Sequence, residues 1–489
     1  MYFNTILQSK IQQNRHTILC LSPTLEATGE KIVLAIKEAI IACGQNLRNC
    51  IGLASDGAAN MVGNNNSVWS RIKAAAPQCK LYKCICHSLA LSIQHSCSHL
   101  PSNIGFMLAE IPSWFSSSNL RREAFIALFN AMNGATQVDD ARIAPLPFEK
   151  ISATRWLVRG KVMYNILVNW YELQAYFKAC DSAHKRLDTR YKLKQILSML
   201  MEDTNYLYFQ FATPLVKEFE SLNAKFQQKD ADPHELSNDL HLHHKSLENR
   251  LYHSNGNKKL VHEVDYGAKF NAECDRVIKE SKNSDKVIKA VDEVKYRCMS
   301  VLEEALRQVN DRLPPARNTF KGLALLSPGT VLNQTTRAAF VDLPFLYLAD
   351  DKLDEIEDQY RKIICVNWSM EDVFAGTDIP TDTEEFWRGV LQHKSFQDLA
   401  VYALTCLVTP ISNATVERVF SLVTCIKTKP RNRMQLDMLD ALVRIRTQLI
   451  LSGKCCVDFQ ITPRMLENYN ADTVYALGKE ENEAMVEFL

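Results

Sequence analysis

The chain has 489 residues, 46% of them hydrophobic and 23% charged, the composition of an ordinary globular protein with room for two or three domains. Its net charge of +1 excludes a global field that would hold it on nucleic acid or an anionic membrane, so such contact needs a local basic patch. No apolar run reaches the roughly 18 residues of a membrane span. The 15 cysteines are odd in number, scattered and never spaced C-x-x-C. With no signal peptide at the start, that usage reads as reduced thiols in the cytoplasm or nucleus.

In chain order, residues 16–21 read as a short buried strand ended by Pro23. Thr28 or Gly29 opens a helix to about Cys43, with Ile32, Leu34, Ile36 and Ile40 apolar and Gly44 as its C-cap. Residues 50–55 read as a second strand ending at Asp56, and 80–86 as a third, with His87 opening a helix to about Ser96. Strand, helix, strand implies a parallel α/β layer, whose working groups gather at the carboxyl ends of the strands. Asp56 stands at such an end, and by itself it reads by default as a turn or cap aspartate. The turn that follows, 57–63, lacks the G-K-[ST] ending of a phosphate-binding loop. Cys84, Cys86, His87, His95, Cys97 and His99 fit no standard zinc spacing. On a strand, Cys84 and Cys86 would point the same way, as small buried thiols.

Residues 101–118 read as a turning segment with Trp114 and Phe115 as packing anchors, and 134–150 as a loop. Residues 151–156 lead into a helix through Phe177. A helical body follows over 191–206, 211–228, 236–251 and 264–308. Its histidines, His234, His241, His243, His244, His253 and His262, read as solvated helix ends and loops. Residues 309–349 read as irregular, 376–382 as a polar link, and 384–407 as an apolar helical stretch holding Phe386, Trp387, Phe396, Leu399 and Leu404. In 412–421, Val416, Val419, Phe420 and Val423 form one buried helical stripe, with Glu417 at its edge. Glu417 reads either as a held carboxylate facing a cleft or as an exposed glutamate favoured by the helix N-terminus. The basic run Lys427, Lys429, Arg431 and Arg433 reads as a solvated face, a nuclear-import patch or a nucleic-acid contact. A last amphipathic helix uses Leu436, Leu439, Leu442, Val443 and Leu449, and 478–489 is an acidic, frayed tail.

Four stretches in order, residues 55–63, 84–91, 151–160 and 412–433, resemble the hAT superfamily of DNA transposases and the host proteins derived from them. The resemblance implies an α/β RNase H-like domain with an incomplete sheet, interrupted by a large all-α insertion, in a chain that is predominantly α-helical overall. The implied divisions are 1–133 for the first part of that domain, 134–370 for the insertion, 371–455 for the remainder with the dimerisation region, and 456–489 for the tail. The family's Asp-Asp-Glu triad holds two divalent metals about 4 Å apart, which clamp the attacking and leaving oxygens at phosphorus. Oxygen ligands suit Mg2+ or Mn2+. By position, Asp56 resembles the second aspartate and Glu417 the terminal glutamate. Cys84 and His87 match a C-x-x-H element that supports the active site. Arg155 and Trp156 match an R-W element whose tryptophan stacks on a displaced base. Residues 384–450 resemble the dimerisation region, whose apolar helices suit packing within or between chains.

No aspartate precedes Asp56. The expectation is therefore an N-terminally truncated, catalytically inactive relative, needing no cofactor as it stands and Mg2+ or Mn2+ only if an upstream aspartate completes the triad. It would act by pairing with a second copy through the C-terminal region, with nucleic-acid contacts from Arg155, Trp156, Lys427, Lys429, Arg431 and Arg433. The alternative is a fragment of an active metal-dependent transposase that cuts and joins DNA. No membrane is expected, and the location is nuclear or cytoplasmic.

Overall fold

The structure, a computed structural model, describes residues 28–42, 44–133, 145, 148, 158–181, 187–228, 232–374, 378–409, 414–451 and 453–469. The strand expected at 16–21, the segment 151–156 and the tail 478–489 lie outside the described residues, as does nearly all of the loop expected at 134–150. The chain divides after residue 414 into two compact units.

The first unit opens with helix α1 (Gly29–Ala42). Gly44, at φ 69°, closes it in the left-handed conformation that a side chain would strain. Strand β1 (Gly52–Ser55) leads through α2 (Ala59–Val62) and α3 (Val68–Ala75) to strand β2 (Lys80–Lys83). A capping box starts α3: Ser70 N–H donates to Ser67 Oγ and Ser67 N–H to Ser70 Oγ, both at 3.0 Å. The two strands are parallel, Gly52 opposite Lys80 and Ser55 opposite Lys83. Among the described residues they are the whole sheet.

Helix α4 (Ile85–Cys97) corrects the strand expected over 80–86. Ile85, Leu89 and Ile93 recur every four residues and are all fully buried, so the helical period wins from Ile85 rather than from His87. Cys84 and Cys86 therefore do not alternate on a strand. The turn expected over 101–118 is also corrected. It is helix α5 (Ser102–Ser116), followed by α6 (Asn119–Asn133). Ile104, Met107, Leu108, Ile111 and Phe115 form its buried face, and that burial carries the helix past Pro112. Trp114 and Phe115 are packing anchors as expected, 3% and 2% exposed. Trp114 Nε1–H donates to Tyr176 Oη at 3.4 Å, and the Arg121 guanidinium lies 3.8 Å over the indole.

The helical body comprises α7 (Val158–Val168), α8 (Trp170–Asp181), α9 (Leu187–Leu200), α10 (Asp203–Phe226), α11 (Pro233–Leu251), α12 (Ala268–Glu280) and α13 (Asp285–Arg312). The break expected between 206 and 211 is absent. α10 runs 24 residues through Pro214, because Tyr206, Leu207, Tyr208, Phe209 and Phe211 are all buried and hold it helical. α4, α5, α7, α8 and α10 to α13 share one apolar core, and α4 packs on α10 and α13. The irregular segment expected over 309–349 contains α14 (Pro314–Ala324) and α15 (Pro328–Val331). Their prolines sit in the first turn, where a missing N–H costs nothing.

A second core gathers α14 with α16 (Leu353–Ile363), α17 (Thr383–Val390) and α18 (Gln397–Leu407). Asp232 ties the helical body to it: Oδ1 accepts His234 N–H at 2.8 Å, capping α11, while Oδ2 accepts Thr383 N–H at 3.0 Å.

The second unit holds α19 (Ala414–Ile426), α20 (Leu436–Leu451) and α21 (Pro463–Asn468). Its apolar centre is Ile426, Leu439 and Val443, with Val419, Val423, Met434 and Leu442 half-buried around them. The buried stripe expected on α19 is thereby corrected at Phe420, which is 58% exposed, because so small a centre cannot cover it. Among the described residues no helix is long and apolar enough to cross a membrane.

Candidate functional site

The carboxyl ends of β1 and β2 lie side by side, and the ladder runs one step past them: Cys84 N–H donates to Ser55 C=O at 2.9 Å. That bond brings together two of the expected site positions, Asp56 just after β1 and Cys84 just before α4. Asp56 is exposed. Its Oδ1 accepts Ala58 N–H at 3.2 Å and Ser55 Oγ–H at 3.4 Å, so the carboxylate shapes its own turn while standing at the end of a strand. Cys84 is buried, and its carbonyl accepts Ser88 N–H and Ser88 Oγ–H, each at 3.0 Å. Ser92 and Ser96 repeat the same back-bond along α4, which satisfies three buried hydroxyls within their own helix. His87 is exposed one turn into α4.

Glu417 lies on α19, with its side chain outside the described residues, and Val416 likewise. Arg155 and Trp156 fall outside them altogether. Lys427, Arg431 and Arg433 are exposed on the connection between α19 and α20, and Lys429 opens the short 3-10 turn Lys429–Arg431 among them. Among the described residues no three His, Cys, Asp or Glu side chains are gathered to hold a metal ion. Asp56 with its self-bonded turn does not by itself make the two-metal site that the Asp-Asp-Glu chemistry needs, so no step is derived through a metal here.

Two charged features escaped the sequence reading. His243, expected on a solvated face, is buried at 6% exposure. Its Nδ1 lies 3.1 Å from Glu218 Oε1, Arg250 Nη2 donates to Glu218 Oε2 at 3.0 Å, and Phe219 meets the imidazole edge-on. Burial pushes the Glu218 carboxyl up, but His243 and Arg250 together pull it below its ordinary value. The signal was present: Leu236, Leu240, His243, Leu247 and Leu251 are one helical stripe, all buried.

The second feature is Glu220 on α10. Its carboxyl lies against Gly160, in the space that a Cβ there would fill, so a side chain at 160 would push the carboxylate aside. Burial pushes Glu220 up to about 7, and the Gly160 N–H opposes the rise. The folded protein therefore takes the proton more readily than the unfolded chain. Glu220's contribution to stability is complete below about pH 4.5, the ordinary glutamate value, and is lost as pH rises through about 7. Glu220→Gln should flatten the melting temperature across that window and raise it at pH 8. Unchanged pH dependence in a thermal melt would remove Glu220 from this role.

Residues 358–449 match the family model for the hAT family C-terminal dimerisation region. The match begins upstream of the 384–450 stretch expected from the sequence. It takes in the end of α16, all of α17 and α18, and then α19 with most of α20. It supports the hAT resemblance and a transposase-related chain able to dimerise through its C-terminal part.

Proposed function

We propose that this chain is a transposase-derived protein that works by pairing with a second copy through residues 358–449, without itself cutting DNA, in the nucleus or cytoplasm. The observation that carries the reading is the dimerisation-region match, taken with apolar side chains that α19 and α20 leave uncovered: Phe420, Met438, Ile445 and Ile450 are each more than half exposed. The proposal includes an RNase H-like ancestry for β1, β2 and α4, with Asp56 and Glu417 as vestiges of a triad and Cys84 and His87 as their support. Sedimentation of the purified chain should give a concentration-dependent dimer at micromolar protein. A monomer throughout that range would overturn the reading.

Any contact with DNA is assigned in this reading to Lys427, Lys429, Arg431 and Arg433, joined by Arg155 and Trp156. Lys427→Gln, Arg431→Gln and Arg433→Gln together should weaken DNA binding regardless of sequence. Removing one phosphate-bound cation should lower the slope of log affinity against log salt by about 0.9. An unchanged slope would mean that the basic run is a solvated face.

The second reading, a piece of an active transposase, draws on the placement of Asp56 at the carboxyl end of β1 beside Cys84. Nicking of terminal-repeat DNA with Mn2+ by a longer chain that supplies an upstream aspartate, abolished by Asp56→Asn, would replace the first reading with this one; failure of that longer chain to nick would remove it.

A further inference from the structure

Cys79 stands one residue before β2 and Cys50 two residues before β1, at the end of the sheet opposite Asp56. The ladder between them is already closed, with Lys80 N–H donating to Ile51 C=O at 3.1 Å. The two sulfurs are 3.6 Å apart, and the residues are 2% and 0% exposed. Each thiol also has a carbonyl in reach, Gly52 O at 3.5 Å from Cys50 and Lys80 O at 3.8 Å from Cys79. The Lys73 ammonium donates to Cys79 C=O at 3.2 Å and places a positive charge beside the pair.

We propose that Cys50 and Cys79 are a reversible redox pair, which a peroxide converts to a disulfide closing the 50–79 loop that carries Asp56. Buried thiols are ordinarily inert because burial disfavours the thiolate. Here the hydrogen bond from Cys79 pulls the Cys50 thiol below its ordinary value against the effect of burial. The same bond, with burial, pushes Cys79 up. We assign the first oxidation to Cys50 and the resolving attack to Cys79, an order that trapping on the single variant tests.

The Cys50 thiolate attacks one peroxide oxygen, breaking the O–O bond. This leaves Cys50 as a sulfenic acid and releases hydroxide, which takes up the thiol's own proton as water. The Cys79 sulfur then attacks the sulfenic sulfur and expels a second water. Two thiols and one hydrogen peroxide give one disulfide and two waters. Two equivalents of a thiol reductant such as glutathione reverse it, becoming oxidised glutathione. The sulfurs must close from 3.6 Å to bonding distance, near 2.05 Å. That shift falls on the lead-in residues, which lie outside the four paired positions of the ladder.

The test uses the full wild-type chain. After hydrogen peroxide, it is unfolded in iodoacetamide and digested, and the peptides are weighed. The expected result is loss of alkylation at both Cys50 and Cys79, with a linked peptide two hydrogens lighter than its parts that disappears on adding dithiothreitol. Recovery of both cysteines fully alkylated, at a peroxide dose that oxidises the exposed Cys365, would overturn the proposal. So would linkage of Cys79 to Cys84 instead. In Cys79→Ser, dimedone should trap a sulfenic acid on Cys50 that the wild type does not accumulate. If that variant fails to fold, the wild-type linked peptide decides alone.

Discussion

Trp387→Ala should lower the stability of the chain by roughly 3–5 kcal/mol, the cost of emptying a large buried aromatic site. Trp387 is fully buried on α17, its ring meets Phe386, and its Nε1–H donates to Leu326 C=O at 2.7 Å. Alanine would remove the packing and leave that carbonyl without its donor, a further cost of about 1–3 kcal/mol if water cannot enter. Against a total of about 5–15 kcal/mol for a typical domain, this is enough to unfold the second core at moderate temperature. Trp387→Phe keeps an aromatic ring and should recover most of the loss. Urea unfolding followed by circular dichroism measures both variants. Because Trp387 packs inside its own chain, the loss should not depend on protein concentration. An Ala variant with a wild-type midpoint would show that this core does not hold the fold.

The opposite behaviour is expected of Phe420→Asp combined with Ile445→Asp. These side chains are 58% and 52% exposed, so the isolated chain loses little by their replacement. Central apolar anchors of an interface each contribute about 2 kcal/mol or more, and 1.4 kcal/mol is tenfold, so losing one should weaken the dimer about 30-fold and losing both by roughly several hundred-fold. Sedimentation equilibrium reads the dissociation constant, and the melting temperature of the diluted monomer serves as the control. Unchanged association with an intact wild-type dimer would place the interface elsewhere in 358–449. A wild-type chain that never dimerises would remove the proposed function itself.

These two expectations separate what periodicity alone left joined. Phe386, Trp387, Val390 and Leu399 are fully buried within one chain. Phe420 and Ile445, in the same matched region, are not. An amphipathic pattern states that a face is to be covered, not by which chain. Only the packed structure distinguishes the two cases, since a centre made of Ile426, Leu439 and Val443 has too little surface to cover the rest. His243 shows the converse. Its place in a stripe with Leu236, Leu240, Leu247 and Leu251 marks it as buried, although a histidine reads by type as solvated. The partners that make its burial tolerable, Glu218 and Arg250, lie 25 residues before it and seven after.

Residue spacing was enough to lay out most of the helical body, strands near 52–55 and 80–83 (the latter read too long), the end of α1 at Gly44, and the C-terminal stretch that falls inside the dimerisation-region match. These are local properties, set by periodicity, caps and turn chemistry within a few positions. The same spacing misread 101–118, 309–349 and the start of α4, where prolines or short strand-like runs suggested breaks. There burial against distant helices outweighed local preference, as at Pro112 and Pro214. Folding was needed to show that Cys50 meets Cys79, that Glu220 lies on Gly160, and that Asp56 stands beside Cys84. Each pair is far apart along the chain, and no spacing encodes such a contact until the core has formed around it.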